Sequence, residues 1–375
     1  MKKTLIALLL TALLVLPCAA GAVAPEITAP SAILMEASTG KVLYEKNADE
    51  RLPPASVTKV MTILLIAEAI DDERIALTDM VQTSELAASM GGSQIYLAPG
   101  ETMSVQDLLK AVVMASGNDA SAALAEHISG SVEGFVAAMN EKAAALGMVG
   151  TTFTNVHGLD ADGHLTTARD IALMSRELLK HEWITAYTST WMDSLRGGEF
   201  TLANTNKLLK SYTGTTGLKT GSTSKAKYCL SATATRNGMD LISVVLAAPT
   251  TKDRFVSAAQ LLDFGFANYK LETLVCPELE NIPVRGGLAD TVAVKAEPAQ
   301  ATVVLEKGDT REPQIKVVAQ ERLTAPVEAG QTVGEVYYMM GETEIARGKL
   351  TAAAAVARRG LGAQFKYFLR ELLLG

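Results

Sequence analysis

Pro53-Pro54-Ala55-Ser56-Val57-Thr58-Lys59 runs directly into an apolar stretch, Val60-Met61-Thr62-Ile63-Leu64-Leu65-Ile66-Ala67. Proline suits the approach to a helix and its first turn, where a missing N–H leaves no bond unmade. The spacing predicts a buried helix with Ser56 in its first turn and Lys59 three residues on, on the same face. A hydroxyl beside an amine that can take its proton is the smallest arrangement that activates a serine. Spacing alone decides nothing, because Ser38/Lys41, Ser222/Lys225 and Ser224/Lys227 repeat it. The first of these brackets Gly40 between strand-like runs at 32–35 and 42–44, a hairpin pattern. The other two lie in a polar Ser/Thr/Lys loop. Only Ser56/Lys59 opens a helix, and a helix start with a solvated lysine is its competing interpretation.

The chain has 375 residues and a formal net charge of −7. That charge argues against general nucleic-acid binding, which favours basic surfaces. Lys2 and Lys3, an apolar core from Leu5 to Leu16 and the small residues Ala20-Gly21-Ala22 read as a secretory signal peptide over residues 1–22. No later run of about 18 apolar residues predicts a spanning helix. The two cysteines beyond that segment, Cys229 and Cys276, are too few for a disulfide scaffold, and their pairing stays open. Cys229 sits in an apolar run, as an inert buried thiol would.

Downstream, Ser104 with Asp107 marks a capping box, and helical spacing from Leu108 to Met114 stops at Ser116-Gly117-Asn118-Asp119. A second apolar segment follows at once, so Ser116 to Asn118 fall between two helices. Further helices are expected over 131–146, after the cap Thr167, and over 253–266. Between them, Lys219-Thr220-Gly221 precedes strand-like runs at 228–235 and 239–248, joined by the hairpin signal Asn237-Gly238. A sheet from the first and last parts of a unit, with helices between, is an α/β-type layered architecture. From about Val275 short β-rich runs predict a small β-sandwich-like domain over 276–350. In residues 351–375, Leu361, Phe365, Phe368, Leu369 and Leu372 share one helical face with basic flanks, which fits a helix lying in a membrane surface. A terminal helix docked on the protein is the alternative.

Three patterns now stand in order: Ser56-Val57-Thr58-Lys59, Ser116-Gly117-Asn118 and Lys219-Thr220-Gly221. Together they form the signature of penicillin-interacting serine enzymes. With Ala115-Ser116-Gly117-Asn118-Asp119-Ala120 and Val156-His157-Gly158-Leu159-Asp160, the sequence resembles the serine D-alanyl-D-alanine carboxypeptidases, the low-mass penicillin-binding proteins. The resemblance covers nearly the whole chain. It implies the penicillin-binding/β-lactamase-like transpeptidase fold over 23–275, then the small all-β domain and the amphipathic helix. It implies Ser56 as the nucleophile that forms an acyl-enzyme, Lys59 as its base, and Ser116 as a proton relay to the leaving amine. Asn118 would bind the substrate amide, and Lys219, Thr220 and Arg254 the free carboxylate. Gly221 would let an extended substrate lie against the backbone, and the amides of Ser56 and Ser222 would form the oxyanion hole.

The implied partners are peptidoglycan pentapeptide stems, β-lactam antibiotics as covalent inhibitors, and a membrane surface, at the outer face of the cytoplasmic membrane; no cofactor, metal or nucleic acid is implied. A simple helix-start partnership with Asp253 is the competing role for Arg254. His157 fits a structural hydrogen bond better than a catalytic role, and His127, His164 and His181 are too scattered for a metal site. Asp160 and Asp162 would fix their loop through Asx turns. Two other functions share the fold. A β-lactamase would need a water-activating glutamate, and no Glu-x-x-Leu-Asn stretch lies between Asn118 and Lys219; Glu177 belongs to a helix. A non-catalytic cell-wall binding protein would have lost Ser56 or Lys59.

Overall fold

The structure, a computed structural model, describes residues 24–360 together with residues 362, 365, 372 and 373. The expected signal peptide lies outside the described residues, as does most of the C-terminal helix. At the centre of the first unit is a five-stranded antiparallel sheet. Its strands are β1 (Ser31–Glu36), β2 (Val42–Lys46), β3 (Thr215–Thr223), β4 (Lys227–Arg236) and β5 (Met239–Ala248), in the order β2-β1-β5-β4-β3. The two hairpins expected from Gly40 and Asn237-Gly238 are β1-β2 and β4-β5. Asn237 (φ 51°) and Gly238 (φ 75°) are both left-handed, as a two-residue turn of that type needs.

The period of two in the strands divides the core. Ile33, Met35, Val244 and Leu246 face one apolar cluster, and Ala32, Leu34, Leu241 and Val245 the other. The first cluster is shared with the helical block: α1 (Lys59–Asp71), α2 (Val105–Lys110), α3 (Asn118–Ser129), α4 (Val132–Ala145) and α5 (Ala168–Leu178). The second packs against α6 (Thr251–Asn268) through Ala258, Leu261, Leu262 and Phe266. The result is three layers with the sheet in the middle. α1 is buried on every side, from Val60 through Ala67, which is why its sequence is apolar throughout rather than striped. Helix starts are fixed by side-chain caps. Ser104 accepts from Asp107 N, Ser131 from Gly134 N, Thr167 from Asp170 N and Thr250 from Asp253 N.

β3 is an edge strand of nine residues that carries Lys219-Thr220-Gly221 at its centre. The C-terminal unit is all β around its own core, from Leu274 to Val356. Its strands begin at Tyr269–Val275, paired with Gln300–Glu306, and its four-stranded sheet ends with Thr343–Ala352. The β structure thus starts and ends beyond 276–350. Among its short strands are Thr291–Val292 and Val294–Glu297. Both described cysteines are free. Cys229 is fully buried, and burial pushes its thiol up to about 11.

Candidate active site

The chain enters α1 through a 3₁₀ turn, Ala55–Thr58. At three residues per turn, residues three apart stack directly, which sets Ser56 under Lys59. Lys59 Nζ lies 3.3 Å from Ser56 Oγ. The same amine donates to Asn118 Oδ1 at 2.6 Å and to the His157 carbonyl at 2.8 Å. Both partners are oxygens that only accept. A neutral amine has two N–H bonds and one lone pair, so those oxygens take both hydrogens and the lone pair is left for Ser56. Lys59 is fully buried, and its pKa is held well below the ordinary lysine range. Burial is the main cause; the Lys219 charge adds to it, and the Asp119 carboxylate opposes it.

Ser116 and Asn118 sit where two helices meet. α2 widens into a π-helical turn, Ala111–Ala115, and Ser116 follows in the left-handed region at φ 63°, the kind of irregularity that gathers at functional sites. Ser116 Oγ is buried with no hydrogen-bond partner among the described residues. Asn118, 2% exposed, opens α3. Its amide bridges Lys59 and the Gly91 carbonyl, to which Nδ2 donates at 2.6 Å.

β3 closes the opposite side. Lys219, 1% exposed, donates to the Thr220 carbonyl, and its pKa is lowered to about 7 by burial and then by the Arg254 charge. Thr220 Oγ1 donates to Thr205 Oγ1 at 2.7 Å. Arg254 reaches β3 from α6, donating to the carbonyls of Gly221 (3.0 Å) and Cys229 (3.4 Å) while its guanidinium lies over Phe255 and Tyr228. It is not a partner for Asp253, whose carboxylate and amide are engaged with Thr250. Ser222 is exposed and, with Thr223, Ser224, Lys227, Tyr228 and Pro249, lines a cavity of about 430 Å³.

Gly221 backs onto the nucleophile turn. A Cβ there would lie 2.8 Å from Ser56 N, 2.9 Å from the Pro54 carbonyl and 2.9 Å from Val57 N. On the side where a Cβ would project, the bare backbone is filled by the nucleophile turn. Asp160 differs from its expected Asx turn: its Oδ1 accepts from Thr223 Oγ1 of β3, and the Asx turn belongs to Asn155, whose Oδ1 accepts from the amides of His157 and Gly158.

Sequence reasoning missed the loop behind the turn. Gly158, at φ 90°, backs onto Ala55 so closely that a Cβ would fall 1.9 Å from the Ala55 carbonyl oxygen. Thr62 Oγ1 donates to the Val156 carbonyl, and Thr58 Oγ1 contacts His164 Nε2. The fully buried Asp119 accepts from the amides of Ile95, Leu97 and Ala120, pinning the 91–97 segment beside Asn118. The motif Val156-His157-Gly158-Leu159-Asp160 marked the loop, but nothing in its residue types showed that a carbonyl and a missing Cβ do the work. Glu177, on α5, forms ion pairs with Lys142 of α4 and with Lys180 just past the end of α5.

Residues 19–250 match the family model for D-alanyl-D-alanine carboxypeptidase, and residues 275–358 that for the C-terminal domain of penicillin-binding protein 5. The chain is 44% identical over 339 residues to the D-alanyl-D-alanine carboxypeptidase DacF of Bacillus subtilis, covering 88% of this chain and 87% of that one. Its fold is similar to that of penicillin binding protein 5 from Haemophilus influenzae, with a TM-score of 0.82, 35% identity, and coverage of 90% and 100%. It is also similar to penicillin-binding protein D2 from Listeria monocytogenes in its ampicillin-bound form, with a TM-score of 0.59, 35% identity, and coverage of 64% and 100%. A buried lysine amine turned on a helix-start serine, in a fold and sequence matched over this length, places the chain in the family of serine D-alanyl-D-alanine carboxypeptidases, the penicillin-binding serine hydrolases.

Proposed function

We propose that this carboxypeptidase removes the terminal D-alanine from peptidoglycan pentapeptide stems through an acyl-enzyme on Ser56. The observation that carries the proposal is the Lys59 amine, held by Asn118 Oδ1 and the His157 carbonyl and 3.3 Å from Ser56 Oγ, so that its neutral form turns the lone pair on Ser56. Lys59 takes the Ser56 proton as Oγ attacks the carbonyl between the two D-alanines. The amides of Ser56 and Ser222 hold the oxyanion, a contact worth ~10²–10³ in rate per donor. Ser116 passes a proton to the departing amine, and Asn118 binds the substrate amide with its remaining N–H. Lys219, Thr220 and Arg254 receive the free carboxylate. Water activated by Lys59 then releases the shortened stem.

A β-lactam would acylate the same serine, its opened ring keeping the leaving amine tethered; the ampicillin-bound Listeria relative supports this. Purified protein incubated with a peptidoglycan pentapeptide should lose the mass of one alanine from the peptide. Ser56→Ala should abolish both that loss and covalent labelling by a fluorescent penicillin. Labelling that persists in Ser56→Ala would assign another nucleophile.

The place of work is part of the same proposal: export through residues 1–22 and attachment of 351–375 to the outer face of the cytoplasmic membrane. Phe365, Leu372 and Leu373 are exposed, and no helix among the described residues is long and apolar enough to cross a membrane. An amphipathic surface helix is the form of attachment compatible with both. Truncation after Ala355 should move the protein from the membrane to the soluble fraction with acylation intact. Sedimentation with membranes after truncation would remove the tail from this role.

A further inference from the structure

We propose that His164 is a positioning residue for acylation: through Thr58 it holds the strained turn that aims Ser56 at Lys59. His164 is 2% exposed and sits behind the active site. Its Nδ1 lies 3.0 Å from Thr154 N, which can only donate, so Nδ1 accepts and the ring proton belongs on Nε2. Nε2 is 2.7 Å from Thr58 Oγ1, and that hydroxyl donates to the Ala55 carbonyl at 2.8 Å. The polarity of the chain is therefore fixed throughout: Thr154 N–H to His164 Nδ1, His164 Nε2–H to Thr58 Oγ1, Thr58 O–H to Ala55 O.

Its endpoint is the peptide that most needs holding. Ala55 has φ +48° without being glycine, a conformation that persists only where the surroundings enforce it. Ser56 is the next residue and Lys59 follows Thr58 directly. Gly158 presses on the same Ala55 carbonyl from the same loop, so the turn is clamped by one packing contact and one directed hydrogen-bond chain.

The tautomer makes the device dependent on a neutral ring. A second proton on Nδ1 would face the Thr154 N–H, donor against donor. Burial pushes His164 down to about 4, with Asp160 opposing, so the ring is neutral at ordinary pH. The other titratable groups around it are Asp160 and Asp162 of its own loop and Lys225 of the β3-β4 turn, which line one cavity of about 180 Å³ with it. His157 lies nearby, its carbonyl on Lys59.

The inference rests on acylation of Ser56, which wild-type labelling and Ser56→Ala test separately. Thr58→Val removes the hydroxyl and keeps the shape, and should cut kcat and the penicillin acylation rate by roughly 10- to 100-fold with KM within about twofold, as a small misalignment of reacting groups does. Thr58→Ser should restore most of the lost rate. A wild-type rate in Thr58→Val, a loss confined to KM, or no recovery in Thr58→Ser would overturn the proposal. ¹⁵N-histidine NMR of the unaltered protein gives an independent reading near neutral pH. A protonated Nε2 with Nδ1 as acceptor is expected, and a protonated Nδ1 would overturn the relay whatever the variants do.

Discussion

The two sides of the cleft are built from the same kind of residue and hold it differently. On the helix side, Lys59 is gripped by Asn118 and the His157 carbonyl. On the strand side, Lys219 donates to one carbonyl, that of Thr220. Both amines are buried, and both pKa values are lowered by burial first and a neighbouring cation second: Lys219 acts on Lys59, and Arg254 on Lys219. Burial alone does not separate a base from a cation. Hydrogen-bond partners do, since two acceptors set the direction of the Lys59 lone pair, whereas Lys219 keeps N–H bonds free to meet a carboxylate.

The largest expected break in this comparison is Lys59→Arg. Guanidinium cannot become neutral in a protein, so a neutral base is replaced by a permanent cation. General-base assistance is worth ~10²–10⁴, and the fluorescent-penicillin acylation rate should fall by about that much. A rate near wild type would make Lys59 a charge like Lys219, and the contrast between the two sides would collapse. Gly221→Ala should do less chemistry and more damage to packing. Its methyl would push β3 off the nucleophile turn, at about 1–3 kcal/mol of stability, the usual range for overpacking. Thermal melting should show that loss, and acylation should fall with it. If Tm holds while KM alone rises, Gly221 serves substrate rather than the turn.

Gly221 also shows where the sequence stopped being legible. Apolar runs, capping pairs and Asn237-Gly238 located α1, α3, the hairpins and the layered order, because those signals are local. Ser56, Lys59, Ser116, Asn118 and Lys219 could be named from three short motifs; the structure joins Lys59 to Ser56 and Asn118 by hydrogen bonds and sets Lys219 close enough for its charge to act on Lys59. What stayed hidden depends on contacts distant in sequence or on backbone atoms. The His157 carbonyl has no sequence signature, and Thr58 meets His164 across 106 positions. A glycine states that a Cβ is excluded without stating by what. At Gly221 it is Ser56 N and Pro54 O, and at Gly158 it is Ala55 O. Asp160 was misread for the same reason, since its partner Thr223 is 63 residues away.

The smallest effect tests the strand side alone. Lys219 loses its proton as pH rises through about 7, so attraction for the substrate carboxylate weakens above that point and KM should climb. Arg254 repels the protonated amine. Arg254→Gln should therefore raise the Lys219 pKa and move the rise in KM to higher pH, even as KM is poorer overall. Stability should run the other way. In the unfolded chain Lys219 keeps its proton up to its ordinary value of 10.5, while the folded form has lost it above about 7. The unfolded state then binds more protons across that window, and this group adds stability as pH increases. KM and Tm, both followed from about pH 6 to about pH 9, should thus rise together in the wild-type protein, and the Lys219 contribution to both should begin later in Arg254→Gln. A KM limb that stays in place in that variant would release Lys219 from Arg254, leaving burial as the sole cause of its low pKa.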